Sequence, residues 1–178
     1  MHSFTLRICA ETPDLDNAIE ELSAAAFGPG RFARAAFRLR EGVAHERELS
    51  FVAMMDDADG ATRLAGSVRL TRILIGGVPA LVLGPLVVPP AAKNIGIGRE
   101  LMNRSLFEAA RRGHKLVILV GDFAYYAKFG FKRVPAGRIR LPGPADPART
   151  LYCELVEGAL GECEGAATRH VQECNAAA

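Results

Sequence analysis

Polar and apolar residues alternate at the beginning of the chain, where every second residue from Phe4 to Ile8 is apolar. This period of two predicts a half-buried strand. Apolar residues then recur at helical spacing, which predicts an amphipathic helix over residues 13–26. Gly28-Pro29-Gly30 ends that helix, and a second, short helix rich in arginine is expected over residues 31–40.

The middle of the chain predicts three strands in succession. Residues 50–55 and 63–75 form the first two, separated by a turn-rich loop over residues 56–60. Gly76-Gly77 suits a tight hairpin turn into the third strand. That strand, residues 78–88, is apolar on both faces, which is typical of a central strand of a sheet.

The clearest helix is predicted over residues 96–112, where one face is apolar and Gly113 follows the last turn. A buried strand at 115–120 follows it, and then a short helix at 122–129 and strands at 131–134 and 150–156. Beyond Gly158 the pattern weakens.

This order of elements predicts a single α/β domain over residues 1–178, in which residues from about 160 to 178 form a weakly defined extension. The helix between the strands at 78–88 and 115–120 makes those strands parallel, because two parallel strands need a crossover connection. The expected fold is therefore a mixed, mostly antiparallel sheet flanked by helices.

Composition narrows the class of protein. Apolar residues make up 49% of the 178, which is enough for a sizeable core, and a net charge of +2 does not indicate a nucleic-acid partner. The longest apolar stretch, residues 78–92, contains prolines and is too short to span a membrane. The beginning of the chain does not resemble a signal peptide, so a cytoplasmic location is expected. The four cysteines and four histidines have no metal-site spacing, and no metal is expected.

Candidate chemistry lies at the beginning of the helix predicted at 96–112. The first N–H groups of a helix have no intrahelical partner and lie at the positive end of its dipole, where phosphate binds well. Gly96 and Gly98 allow an anion to approach the backbone, and Lys93 and Arg99 add positive charge. A glycine-rich helix start without any ligand is the alternative. Neither a P-loop nor a complete dinucleotide-binding fingerprint is present.

Gly84-Pro85 interrupts the strand at 78–88. Proline cannot donate a hydrogen bond to a neighbouring strand, so its presence implies a bulge or a local opening. The backbone from Leu86 to Val88 would then have unpaired groups, with which the amides of a ligand could pair. A simple kink with no ligand is the alternative.

Two of the three tyrosines lie in the segment from Gly121 to Phe131, directly after the strand at 115–120. At helical spacing, one of Tyr125 and Tyr126 is expected to face the core and the other a cleft at the strand ends. Packing of both tyrosines without a chemical role is the alternative.

These segments resemble motifs A and B of the GNAT superfamily of acyltransferases. The segment Lys93 to Gly98 is similar to the pyrophosphate loop of motif A, Q/R-x-x-G-x-G/A, with lysine in the first position. The segment Gly121 to Phe131 resembles the G-D-x-A-Y-Y-x-x-F-G-F block of the YhbS-like branch. Lysine keeps the positive charge without the fork of arginine. Because the loop contributes mainly backbone N–H groups, CoA binding is expected to survive this difference.

The resemblance implies that acetyl-CoA is the co-substrate and lies between two splayed parallel strands. Tyr126 is then the catalytic residue, the general acid for the departing CoA sulfur. The resemblance assigns cofactor binding to the backbone and side chains of Leu86, Val87, Val88, Lys93, Asn94, Ile95, Gly96, Ile97, Gly98, Arg99, Asp122, Tyr126 and Phe129.

The expected reaction is direct attack of a primary amine on acetyl-CoA in a ternary complex. The acceptor is a small-molecule or peptide amine, and a homodimer is compatible with the sequence. No general base is selected from the four candidates, which are His45, Glu46, Glu48 and Asp122. The arginines at 31, 34, 38 and 40 indicate either an anionic acceptor or, as the favoured interpretation, a solvated helix face. The alternative functions are a non-catalytic acyl-CoA-binding module and a nucleotide-binding enzyme unrelated to CoA.

Overall fold

The computed structural model describes residues 5–56 and 60–171, which form a mixed sheet with helices packed on it. The described strands are β1 (Thr5–Ala10), β2 (Phe51–Asp56), β3 (Thr62–Ile75), β4 (Val78–Val87), β5 (Leu116–Val120), β6 (Lys132–Arg133), β7 (Ile139–Arg140), β8 (Thr150–Glu154) and β9 (Gly165–Arg169). The described helices are α1 (Asp16–Phe27), α2 (Ala35–Arg38), α3 (Ile97–Arg111), α4 (Phe123–Tyr126) and α5 (Ala159–Glu162). None of these helices is long and apolar enough to cross a membrane.

The strands follow the order β1-β2-β3-β4-β5-β8-β6, and β9 pairs with both β3 and β7. Strands β4 and β5 are parallel, which confirms the predicted crossover through α3. A second, short parallel pair joins β7 to β9 and was not predicted. The other pairs are antiparallel, so the predicted mixed, mostly antiparallel sheet is confirmed.

Several predicted elements differ in length from the observed ones. The helix expected over residues 31–40 is a 3-10 turn at Pro29–Ala33 followed by the four-residue α2, because Arg34 between them is extended. The helix expected at 122–129 consists of α4 and a 3-10 turn that ends at Gly130 in the left-handed region. Residue Phe4, residues 57–59 of the predicted loop and residues 172–178 lie outside the described parts of the chain.

The core forms two apolar clusters on opposite faces of the sheet, because neighbouring strand residues point to opposite sides. On β5, Val117 and Leu119 belong to the cluster that includes Leu101 of α3, whereas Ile118 belongs to the other. Gly66 lets α3 approach the sheet closely. A Cβ there would lie 2.9 Å from Cγ2 of Ile97 and 3.0 Å from the carbonyl oxygen of Val87.

Two irregularities of β4 open the sheet. Arg69 of β3 lies opposite both Gly84 and Pro85, so the predicted bulge is present. Pairing of β4 with β5 is confined to Leu81 with Val117 and Val82 with Ile118. Beyond Val82 the two strands separate, and no other strand of the described residues pairs with this edge of β4.

Candidate active site

The gap between β4 and β5 opens into a cleft of about 1090 Å³. Eleven of the predicted cofactor residues line it, namely Leu86, Val87, Val88, Lys93, Asn94, Gly96, Ile97, Gly98, Arg99, Asp122 and Tyr126. Ile95 and Phe129 are not among the described residues that line the cleft. Ile95 is 41% exposed on the other side of the loop, and Phe129 packs against the core. Their predicted contact with the cofactor therefore has no support from the cleft geometry.

The beginning of α3 forms one wall of this cleft. Gly96 caps the helix in the left-handed region with φ 90°, and the first intrahelical bond runs from the N–H of Glu100 to the Gly96 carbonyl. Within the described parts of the chain, the N–H groups of residues 96–99 therefore have no backbone partner. They lie at the positive end of a 15-residue helix, with the exposed side chain of Lys93 beside them. This arrangement suits a diphosphate.

Tyr125 lies against this same helix start. A Cβ at Gly98 would be 2.5 Å from the Tyr125 hydroxyl oxygen. The Tyr125 side chain, as well as any bound ligand, therefore requires glycine at this position. The Tyr125 ring contacts Tyr126 and Phe129 with centroids 4.9 and 5.7 Å away, and the ammonium of Lys128 lies 4.2 Å from its centroid. Both tyrosines line the cleft, and Tyr126 also packs against the apolar core, so the expectation that one tyrosine faces the core and the other the cleft holds in part.

Tyr126 is the more enclosed of the two tyrosines. Its ring packs on Gly121, where a Cβ would overlap it, and edge-on against Phe131 at 5.8 Å. Burial, with a smaller effect of the neighbouring Tyr125, raises the pKa of Tyr126 to about 12. The hydroxyl is therefore protonated throughout the neutral range. It has no hydrogen-bond partner among the described residues, so it is free to donate to a ligand.

The four candidate bases differ in their ion pairs and in whether they line the cleft. Glu46 pairs with Arg72 at 3.0 Å and Glu48 pairs with Arg112, and neither glutamate lines the cleft. Asp122 lines it but caps α4, accepting from the N–H of Ala124.

His45 is the fourth candidate base, and it lines the cleft. Its Nε2 lies 2.7 Å from Oε1 of Glu11, a carboxylate whose side chain is fully buried.

Glu11 anchors an ion-pair network that the sequence did not reveal. Arg69 binds its carboxylate with Nη2 at 2.7 Å, and Arg47 approaches it at 3.3 Å. Burial raises the pKa of Glu11, but hydrogen bonds from His45 and Arg69 outweigh it and hold the pKa below its usual value. Glu11, Asp16 and His45 place oxygen and nitrogen atoms within 4.8 Å of one another, as in a metal site. The two arginines already bind these carboxylates, so the cluster is an ion-pair network.

The lining of the cleft as a whole is basic. Eight lysine and arginine residues line it against three acidic residues, and the basic ones are Arg31, Arg34, Arg40, Arg69, Lys93, Arg99, Lys128 and Arg149. Of the four arginines noted in the segment 31–40, three line the cleft and only Arg38 does not. Arg34 is exposed, as the favoured interpretation of a solvated helix face expects, whereas Arg31 and Arg40 are only partly exposed and lie at the cleft.

Comparison with known proteins agrees with this geometry. The model of the acetyltransferase (GNAT) family matches residues 16–131. No functionally curated protein matches the chain. YhbS from Escherichia coli, a GNAT family N-acetyltransferase solved in complex with CoA, is similar with a TM-score of 0.72 and 22% identity, over 96% of this chain and 91% of that chain.

Two further structures share the fold. A GNAT family acetyltransferase from Brucella melitensis, in complex with acetyl-CoA, has a TM-score of 0.56 and 26% identity over 83% of this chain and 94% of that chain. A GNAT family acetyltransferase from Staphylococcus aureus has a TM-score of 0.58 and 12% identity over 85% of this chain and 100% of that chain. The resemblance to GNAT proteins and to the YhbS fold is thereby confirmed. Both the motifs and the family match lead to one conclusion: the chain belongs to the GNAT acetyltransferase family.

Proposed function

We propose that the protein transfers an acetyl group from acetyl-CoA to a primary amine in a ternary complex. The observation that carries this proposal is the open edge of β4, which continues into the unpaired N–H groups at the start of α3. Acetyl-CoA has a chain of amides that can pair with a strand edge and a diphosphate that fits a helix N-terminus. The CoA and acetyl-CoA bound to the relatives from E. coli and B. melitensis support the same co-substrate.

The proposed reaction begins when a neutral amine attacks the carbonyl carbon of the thioester. The C–N bond forms, the C–S bond breaks, and the sulfur leaves as a thiolate while the amine loses a proton. Negative charge develops on the carbonyl oxygen, and in this proposal a backbone N–H of the segment Leu86 to Val88 stabilises it.

Tyr126 is the proposed donor to the departing sulfur. With a pKa of about 12, its hydroxyl is a weaker acid than the general acid that the sequence led us to expect. Complete transfer to a thiolate of ordinary pKa, about 8.5, would be uphill by roughly 5 kcal/mol. We therefore infer that Tyr126 chiefly donates a hydrogen bond as charge develops on the sulfur, and that proton transfer follows as the thiolate is desolvated.

His45 is the proposed acceptor of the amine proton. The bond between Nε2 and Glu11 favours the tautomer with the proton on Nε2, which leaves Nδ1 able to accept a proton. The carboxylate of Glu11 would also stabilise the imidazolium that forms, since its lowered pKa keeps it charged.

A thermal-shift titration with acetyl-CoA, CoA, ATP and NADH tests the co-substrate. At a hundred times the dissociation constant, a ligand adds about 2.7 kcal/mol to the free energy of unfolding. For a domain of this size, that corresponds to a rise in Tm of roughly 5–10 °C. We expect this rise with acetyl-CoA and CoA alone. A rise with ATP or NADH and none with acetyl-CoA would refute the proposal.

A second measurement separates an enzyme from a non-catalytic acyl-CoA-binding module. The release of CoA thiol is followed with a panel of primary amines, for the wild type and for Tyr126→Phe. An enzyme releases CoA only when an amine is present, and Tyr126→Phe releases it more slowly. Binding of acetyl-CoA without amine-dependent release would favour the binding module.

A further inference from the structure

Arg40 lies at the bulge of β4 with most of its guanidinium unpaired. Its Nε donates to the carbonyl of Ala36 at 2.9 Å. Its Nη1 lies 3.7 Å from the position that a Cβ of Gly84 would take, so the side chain covers the bulge. Among the described residues, the remaining N–H groups of this guanidinium have neither a hydrogen-bond acceptor nor an ion pair.

Two other arginines of the cleft, Arg69 and Arg31, differ from Arg40 in this respect. Arg69 is bound by Glu11 and Asp16 at 2.7 and 2.8 Å, and Arg31 is bound by Glu20 at 2.9 Å. Burial, together with repulsion from Arg69, lowers the pKa of Arg40 to about 10, so the group is still charged at neutral pH. A partly buried charge without a partner destabilises a folded protein, unless a ligand supplies the counter-charge.

Ser23 is a second unsatisfied group in the same cleft. This residue of α1 is 3% exposed, and its hydroxyl has no hydrogen-bond partner. It lines the cleft together with Arg40 and Gly84. Buried polar groups in native proteins are nearly always hydrogen-bonded, so a buried hydroxyl without a partner, in the same cleft as the unpaired guanidinium of Arg40, indicates a missing polar ligand.

We propose that Arg40 binds a carboxylate of the acceptor, so that the acceptor is a small amino acid or a similar amine that carries a carboxylate. This proposal rests on the proposed acetyl transfer and names the substrate class of that same site. A guanidinium fork matches the two oxygens of a carboxylate. Ser23 donates a hydrogen bond to the same molecule from the α1 side of the cleft.

The position of Arg40 also limits the length of the acceptor. Gly84 lies two residues before Leu86 on β4, which corresponds to roughly 6–7 Å along a strand. The acetyl group is proposed to lie beside the segment Leu86 to Val88. An acceptor held by Arg40 therefore reaches the thioester when a few bonds separate its carboxylate from its amine, as in a free amino acid.

The test compares matched acceptors that differ only in the anionic group. Each amino acid of a panel is assayed for CoA release beside its carboxamide and its aminophosphonate analogue. We expect the wild type to favour the carboxylate over the carboxamide by about 10- to 100-fold in kcat/KM, as one charge-assisted hydrogen-bonded pair implies. Arg40→Met should lose this preference, and Arg40→Lys should keep part of it because it retains the charge without the fork.

Arg38→Met is the matched control. Arg38 lies two residues away, outside the cleft, and donates to the carbonyl of Pro142 at 3.2 Å. This variant should keep the wild-type preference. The acetyl-CoA-induced rise in Tm, measured on every variant, shows that each is folded.

The outcomes separate this proposal from the proposed function. Equal rates with carboxylate and carboxamide, or a preference that persists in Arg40→Met, would overturn the carboxylate site and leave acetyl transfer intact. An Arg40-dependent preference for the aminophosphonate would replace the carboxylate by a phosphate-type anion and likewise overturn the proposal. Binding of acetyl-CoA without turnover of any amine would overturn acetyl transfer and, with it, this inference.

Discussion

Replacement of Gly98 by alanine tests the contact between α4 and the start of α3. The added Cβ would lie 2.5 Å from the hydroxyl oxygen of Tyr125, whereas the next atoms, Cζ of Tyr125 and Cγ2 of Val88, are at 3.7 and 3.8 Å. The clash therefore comes from one oxygen atom. The Tyr125 ring cannot swing away freely, because Tyr126, Phe129 and Lys128 contact it.

Two opposing contributions determine how much Gly98→Ala changes the free energy of unfolding. Overpacking of a constrained site costs about 1–3 kcal/mol. Gly98 lies in the first turn of α3, where alanine gains about 0.5–1 kcal/mol over glycine through helix propensity. We therefore expect Gly98→Ala to lower the free energy of unfolding by about 0.5–2 kcal/mol. In a Tyr125→Phe background the oxygen is gone, and the same change should raise the free energy of unfolding by about 0.5 kcal/mol.

The assay is a double-mutant cycle, in which urea unfolding is measured for the wild type, Gly98→Ala, Tyr125→Phe and the double variant. We expect the effect of Gly98→Ala to change sign between the two backgrounds, with a coupling energy of about 1–2.5 kcal/mol. Additivity of the two substitutions within about 0.5 kcal/mol would refute the proposed contact.

Three further predictions concern the polar groups of the cleft. Tyr126→Phe should lower kcat by about 10- to 100-fold and preserve the acetyl-CoA-induced rise in Tm; unchanged turnover would exclude a role for the hydroxyl. Glu11→Gln should lower the free energy of unfolding by about 2–4 kcal/mol in urea titrations, because Arg69 loses its buried partner while Asp16 remains. Since the pKa of Glu11 is lowered on folding, its contribution is fully present above about pH 4.5 and declines as the pH falls from there through the lower pKa of the folded state. If the free energies of unfolding of the wild type and Glu11→Gln differ by the same amount at pH 7 and at pH 3, this assignment is contradicted. His45→Asn should lower kcat/KM for amine acetylation, and an unchanged kcat/KM would exclude His45 as the base.

The sequence predicted the parts of the fold that depend on local patterns. Strands β3 and β4 and helix α3 have strong periodicity and clear turn residues, and their observed bounds agree closely with the predicted ones. The bulge at Gly84-Pro85 followed from the chemistry of proline alone. Strands β7 and β9 were missed because they are short and depend on pairing between segments distant in sequence.

The residues of the candidate site likewise fall into those that the sequence could predict and those that depend on the tertiary fold. Most of the proposed cofactor-binding residues lie in one continuous segment from β4 to α3, so they could be predicted from their order along the chain, whereas Asp122, Tyr126 and Phe129 lie outside it. The acceptor side joins Ser23 of α1, Arg40 after α2 and His45 to Glu11 at the end of β1. Because only the tertiary fold brings these residues together, no spacing in the sequence could reveal them.

The basic lining of the acceptor side bears on how the amine loses its proton. An ammonium beside Arg40 in this largely basic cleft is disfavoured by like charge, so its pKa falls and more of the bound acceptor is neutral at a given pH. A carboxylate on Arg40 would cancel only part of this field, since seven other basic residues line the cleft against three acidic ones. The pH at which kcat falls to half on the acid side should therefore lie below the ammonium pKa of the free acceptor. In Arg40→Met this pH should move towards that pKa. If the acid side of the kcat profile lies at the ammonium pKa of the free acceptor in both proteins, the positive charges of the cleft do not promote deprotonation of the amine. His45 alone must then accept the proton.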